Sequence, residues 1–155
     1  FQNKKNFFIL SCDCYGNFKF KLFKKLIKVS NPDIVVFAFK ISEFQKRLSN
    51  SHTTLEIFKN KIKAINVKKF VNTKNEYGHA GFFWFKNGNL FKHLDVFKSQ
   101  NNLKRELIID DYFKFLFDRK IYKFDYFMLD QYVHLGSIKE YQELKYWENY
   151  FANVH

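Results

Sequence analysis

The chain contains one proline, Pro32, and only five glycines among its 155 residues. So few breakers exclude a proline-rich linker or a low-complexity repeat, and polar turns must divide the chain instead. Its two cysteines, Cys12 and Cys14, are separated by one residue. On an extended segment their side chains point to opposite faces, so they do not easily pair, and no second cysteine pair exists to complete a zinc site. That usage reads as a reduced, cytoplasmic protein. Arginine is scarce too: Arg47, Arg105 and Arg119 are three of 27 basic residues. Base readout and bidentate phosphate clamping favour arginine over lysine. The net charge of +12 therefore reads first as compositional drift, with a basic nucleic-acid-binding module as the competing reading from charge and aromatics. No stretch approaches the roughly 20 apolar residues of a membrane span. The start lacks the basic, apolar, small-residue layout of a signal peptide.

What is abundant is apolar and aromatic. The chain is 46% hydrophobic and 21% aromatic, with 22 phenylalanines. That suffices for a packed core rather than disorder. The length fits one domain over residues 1–155. The first residue is Phe1, and a buried-strand pattern begins by Phe7 with almost no lead-in, which predicts a fragment with material missing upstream.

Phe7 to Cys12 is a continuous apolar run, as in a strand buried on both faces of a parallel sheet. Asp13-Cys14-Tyr15-Gly16-Asn17 follows as a polar turn. Lys19 to Val29 places Phe20, Phe23, Leu26 and Ile27 on one helical face. Ser30-Asn31-Pro32-Asp33 breaks that helix, and Ile34 to Phe39 is a second buried strand, giving a βαβ unit. Thr53 to Phe58 and Ile62 to Val67 predict a hairpin about Lys59-Asn60-Lys61. Tyr77 to Gly81 leads into an aromatic strand, Phe82 to Phe85. Leu90 to Phe97 predicts a short helix and Glu106 to Phe117 a longer one. Ile121 to Met128 and Tyr132 to Leu135 read as extended. Ile138 to Phe151 reads as a closing helix with Tyr141, Leu144, Trp147 and Phe151 as its core stripe. The architecture is α/β with a mixed sheet.

Asp13 stands at the C-terminal end of a strand, where open α/β sheets bind ligands, and its carboxylate suits Mg²⁺. It is equally readable as a turn aspartate. Glu106 and Asp110 share one face of the predicted helix, with Asp111 turned about 100° away. Acidic residues there also complement the helix dipole. His79 and His134 sit beside glycines next to strands, either facing a cleft or as ordinary loop histidines.

Taken in order, these segments resemble the nucleotidyltransferase family that joins a nucleoside triphosphate to a sugar 1-phosphate or similar phosphorylated alcohol. The strand ending at Asp13 looks like the family's strand with the metal-binding aspartate. Pro32 to Lys40 is similar to the strand that follows it. Lys61 to Lys69 resembles the strand ending in a Glu-Lys pair, with Lys69 as the lysine and Lys68 in place of the acid. His79-Ala80-Gly81-Phe82 is similar to the small-residue, glycine and aromatic segment, and Glu106 to Asp111 to the acidic helix start. Tyr132 to Tyr141 resembles the late glycine-threonine segment that opens the last helix.

The resemblance implies a three-layer Rossmann-like nucleotide-diphospho-sugar transferase fold with its N-terminal part missing. The family's glycine-rich triphosphate loop has no counterpart in these residues. The resemblance further implies an Mg²⁺-dependent enzyme acting on a nucleoside triphosphate and a phosphorylated acceptor, in surface polysaccharide precursor synthesis. Asp13 would be the catalytic metal ligand, and Lys69, Ala80, Gly81, Glu106 and Asp111 would contact substrate. Many members carry a second metal-binding aspartate just before the late glycine. Here that place holds His134-Leu135, and Asp130 is the nearest acid for the role. A haloacid dehalogenase-type phosphatase is the rival enzyme, although Tyr15 stands where its second aspartate would be.

Overall fold

The computed structural model describes residues 5–42, 52–100 and 106–154. Its main sheet has six strands. They are β1 (Lys5–Leu10), β3 (Ile34–Phe39), β4 (Thr54–Phe58), β5 (Lys61–Asn66), β6 (Glu76–Asn87) and β7 (Phe124–Met128). The order β5-β4-β6-β3-β7 runs across it, and β1 pairs with β6. β3 is parallel to β7; the other pairings are antiparallel, so the sheet is mixed as expected. A separate ribbon joins β2 (Cys14–Asn17) to β8 (Gln131–His134). Among the described residues the helices are α1 (Phe20–Ser30), α2 (Leu94–Gln100), α3 (Ile109–Asp118) and α4 (Ile138–Ala152), with a 3₁₀ turn over Gly88–His93.

Every residue of β3 is buried, and its alternation divides the core into two layers. Val35, Phe37 and Phe39 face one way, with Phe23 of α1, Phe82, Trp84 and Leu129. Ile34, Val36 and Ala38 face the other, with Phe83, Phe85, Phe97 of α2, and Phe113 and Leu116 of α3. Helices thus cover both faces of the sheet, which makes three layers. The β4–β5 hairpin turns at Lys59 and Asn60, both at positive φ (49° and 57°), a geometry that matches the twist of antiparallel strands.

Four expectations are corrected. β1 is not buried on both faces: Phe7 and Ile9 are half-buried, while Phe8 and Leu10 are exposed. Among the described strands β1 pairs with β6 alone, so it lies at an edge. Residues Cys14–Asn17 are a strand rather than a turn, because β8 returns to pair with them. The aromatic strand begins at Glu76, since pairing with β3 and β4 carries Gly78 and Gly81 inside β6. The closing helix forms, but Tyr141, Trp147 and Phe151 are exposed, so helical spacing there does not mark a core stripe.

Candidate functional site

β6 places β3 along one edge and two strands along the other. β4 pairs with it over Glu76–Gly78 and β1 over Phe82–Asn87. Between those stretches Ala80, Gly81 and Phe82 stand opposite the single residue Phe37 of β3, a bulge in which Gly81 takes φ +72°. The Ser11 N–H donates to the Gly81 carbonyl (3.1 Å), and the His79 N–H to the Thr53 carbonyl (2.8 Å). Where β1 ends and the approach to β4 begins, a cleft of about 360 Å³ opens. Asp13, Thr53, Lys68, His79, Asp110 and His134 are among the residues lining it.

Asp13 occupies the turn between β1 and β2, with its side chain 43% exposed. Its carboxylate accepts hydrogen bonds from the Ser11 hydroxyl and from Cys14 Sγ (3.3 Å). The Ser11 bond is the main cause holding this carboxyl below its usual range; partial burial opposes it, and Cys14 and the His134 charge assist. Asp13 is therefore ionised at neutral pH. His134 Nε2 stands 3.6 Å from Asp13 Oδ2. A Cβ at Gly136 would fall 2.6 Å from that oxygen and 2.6 Å from His134 Nε2, so glycine lets the two groups meet.

The other nitrogen of His134, Nδ1, is 2.8 Å from both Glu140 oxygens. Glu140 is buried in the first turn of α4. Ser137 caps that helix, accepting from the Glu140 N–H (3.3 Å) and donating to Glu140 Oε2 (2.7 Å). His52 lies alongside, its ring 4.8 Å from the His134 ring and Nε2 3.8 Å from Glu140 Oε1. Burial first, and then the His134 charge, push the His52 pKa from 6.5 down to about 4. An unfolded His52 thus binds a proton more readily than a folded one. Its contribution to stability is intact above 6.5 and is lost as pH falls toward about 4. Acidifying from pH 7 to 5 is expected to cost roughly 1–2 kcal/mol through this residue. With a chelator present, urea unfolding across that range should show the slope in the native chain and a shallower one in His52→Gln.

On the facing wall, Thr53 Oγ1 donates to Asp110 Oδ2 (2.5 Å), and His79 Nδ1 is 3.4 Å from Asp110 Oδ1. Burial raises the Asp110 pKa, but the His79 charge and the hydrogen bonds from His79 and Thr53 outweigh it, so the carboxyl lies below its usual range. Thr53 Oγ1 also accepts the Lys68 N–H (3.3 Å). Cys14 Sγ lies 3.2 Å from the Tyr132 hydroxyl, and burial pushes its pKa up to about 11. Cys14 is thus a thiol at neutral pH, unsuited to nucleophilic attack.

Of the expected site residues, Asp13, Ala80 and Gly81 line the cleft. The others are placed elsewhere among the described residues. Lys69 is exposed and offers its carbonyl to Thr54 Oγ1 (2.9 Å), while its neighbour Lys68 lines the cleft. Successive residues project in different directions, which separates the two lysines. Glu106 is exposed and precedes α3. Asp111 accepts the Ile108 N–H (3.2 Å) at the helix start, and Asp110 turns into the cleft instead. Asp130 is exposed in a hollow with Phe39 and Tyr132, its N–H bound to the Asn17 carbonyl (2.8 Å). Ribbon pairing of β8 with β2 (Cys14↔His134) puts His134, not Asp130, against Asp13. His52, Thr53 and Glu140 were not singled out from the residues. For Glu140 the Ser137-x-x-Glu140 capping pattern was a usable signal.

No family model and no curated protein matches the sequence. Solved structures do match. A Bacillus anthracis chain described as a glucose-1-phosphate thymidylyltransferase, in complex with sucrose, matches with a TM-score of 0.66 at 14% identity. The match covers 92% of this chain and 54% of that one. A nucleoside-diphosphate-sugar pyrophosphorylase from Vibrio cholerae RC9 matches with a TM-score of 0.63 at 14% identity, over 90% and 55%. This chain thus spans about half the length of each. At such identity the likeness concerns the backbone: the chain carries the three-layer α/β fold of the sugar nucleotidyltransferases, over about half of their length.

Proposed function

We propose that the cleft at Asp13 is the phosphate-binding centre of a metal-dependent nucleotidyltransferase that joins a nucleoside triphosphate to a sugar 1-phosphate or a similar phosphorylated acceptor. The observation that carries this reading is an ionised, half-exposed aspartate in the turn after β1, at the point where β6 passes from β1 to β4. Ligands of α/β sheets gather where strand order changes in this way.

Mg²⁺ takes one or two carboxylates and keeps several waters, so Asp13 is a fitting ligand. The expected second oxygen ligand, Asp130, lies outside the cleft, and His134 takes that side. When bound, the ion would neutralise phosphate charge. The residues themselves do the positioning. Ser11 and Cys14 hold the Asp13 carboxylate in one orientation. Gly81 leaves room for Ser11, since a Cβ there would lie 2.9 Å from the Ser11 Cβ. From the wall facing Asp13, Lys68 brings a cation to an anionic substrate and Asp110 offers an acceptor to sugar hydroxyls, in place of the substrate contacts that the resemblance implies for Lys69 and Glu106. In the reaction an acceptor phosphate oxygen bonds to the α-phosphorus, the bond to the β-phosphate breaks, and pyrophosphate leaves. The nucleotide sugar formed would serve surface polysaccharide synthesis, and a reducing cytoplasm suits the two free cysteines.

The test is Asp13→Asn. Calorimetric titration of the native chain with each of the four common nucleoside triphosphates in Mg²⁺ should detect binding to at least one. The variant should bind it at least tenfold more weakly, about 1.4 kcal/mol, with its unfolding midpoint unchanged. Undiminished affinity in the variant, or no binding of any triphosphate by the native chain, would sink the reading.

A further inference from the structure

Behind Asp13, His134 reaches a second set of potential ligands with its other nitrogen. His52, His134 and Glu140 each offer one ligand atom, and these atoms lie within 4.8 Å of one another. His52 and Glu140 are buried, with side chains 4% and 7% exposed. His52 Nε2 is buried without a hydrogen-bond partner among the described residues. The nearest carboxylate oxygen, Glu140 Oε1, is 3.8 Å away. Buried imidazole nitrogens are ordinarily hydrogen-bonded, and one aimed at a carboxylate but too far to bond is unexplained by packing alone. His52 and His134 line the Asp13 cleft, whereas His134 and Glu140 line the adjoining hollow beside Trp147. The cluster forms the wall between the two.

We propose that His52, His134 and Glu140 bind one divalent transition-metal ion of the Zn²⁺ class, through His52 Nε2, His134 Nδ1 and the Glu140 carboxylate. Two ligands about 2 Å from a tetrahedral ion lie about 3.3 Å from each other. The separations of 3.8 Å (His52 to Glu140) and 2.8 Å (His134 to Glu140) fall on either side of that value. Two imidazoles and one carboxylate form a borderline donor set that favours zinc-like ions over Mg²⁺. The surroundings suit it too. The Ser137 hydroxyl holds Glu140 Oε2 at 2.7 Å. With the ion in place of a proton on Nδ1, neutral His134 carries its proton on Nε2, which faces Asp13 Oδ2 at 3.6 Å. A carboxylate behind a ligating histidine is the usual outer partner of such sites.

A rival cluster, Asp13, Cys14 and His134, lies on the opposite side of the same ring. Asp13 is bonded there by Ser11 and Cys14, and the Cys14 thiol meets the Tyr132 hydroxyl, just as His134 and Glu140 are bonded to each other in the inner cluster. The open nitrogen of His52 is what favours the inner cluster. This site does not depend on nucleotide transfer at Asp13.

The experiment uses the untagged chain, stripped with a chelator and titrated with Co²⁺ in the visible range. One equivalent should give the intense bands of four-coordinate cobalt, displaced by one equivalent of Zn²⁺ and not by excess Mg²⁺. His52→Gln and Glu140→Gln should each weaken binding by about 100-fold or more, beyond what loss of an outer partner costs. Cys14→Ser and Asp13→Asn should still bind, the latter even if its triphosphate affinity is gone. X-ray absorption of the zinc-loaded native chain, which needs no variant to fold, should show nitrogen and oxygen neighbours and no sulfur. The proposal is overturned by absence of stoichiometric Co²⁺ binding, by a sulfur neighbour lost in Cys14→Ser, or by unchanged affinity in His52→Gln.

Discussion

Phe83→Ala is expected to destabilise the fold by about 3–5 kcal/mol, the range for deleting a buried aromatic ring from a packed core. Phe83 is 1% exposed on β6. Its ring centroid is 4.0 Å from that of Phe113 on α3 and 4.4 Å from that of His79. One ring therefore joins the central strand to the helix that presents Asp110, and it supports His79, the partner of Asp110 in the cleft. A domain of this size has about 5–15 kcal/mol of stability in all, so the loss removes a large fraction of it. Urea unfolding should show a lower midpoint at nearly constant slope. Phe151→Ala is the control: Phe151 is 59% exposed on α4, and its truncation should cost less than about 1 kcal/mol. Equal losses in the two variants would show that Phe83 is not the central contact described.

Gly78→Val should be comparably damaging, from too little space rather than too much. Gly78 pairs with Phe39 across β3 and β6. A Cβ added there would lie 2.1 Å from Phe39 Cζ and within 2.6 Å of its two Cε atoms. The Phe39 ring covers the glycine, the usual way an aromatic compensates for a missing side chain in a sheet. That ring is not free to swing aside. It is buried, stacked on Tyr132 at 3.8 Å and 15°, with His52 edge-on at 5.9 Å. Overpacking ordinarily costs about 1–3 kcal/mol, and two valine methyls beneath a clamped ring put the expected loss at about 3 kcal/mol. The displaced ring would also move Tyr132 and His52, so Co²⁺ affinity should fall together with stability. Combining Gly78→Val with Phe39→Ala checks the cause. In a double-mutant cycle the pair should be at least about 1 kcal/mol less damaging than the sum of the single changes. An additive result would mean the two residues do not compete for the same space.

The β3 run Ile34 to Phe39 was legible because all six residues are apolar, and a strand buried on both faces needs that. The similar run at Phe7 misled for the same reason: composition does not say how many neighbours a strand has. β1 is paired on one side only among the described strands, so its apolar residues are half covered. The closing helix misled in the opposite sense. Tyr141, Trp147 and Phe151 recur at helical spacing, yet α4 leaves them exposed and buries Glu140 in their place.

The sequence by itself determined the α/β order of elements, the hairpin and the strand-end position of Asp13. Each of these follows from local periodicity or from the conformational freedom of single residues. The tertiary structure alone decided which polar groups meet. Asp13 and His134 lie far apart in the chain and touch because β2 and β8 pair. Thr53, His79 and Asp110 join because β4, β6 and α3 converge at one break in the sheet edge. The direction in which Lys68 rather than Lys69, and Asp110 rather than Asp111, points is a matter of about 100° of helix or one residue of loop. Differences that small are set by packing between distant segments, which leaves no periodic trace in the chain.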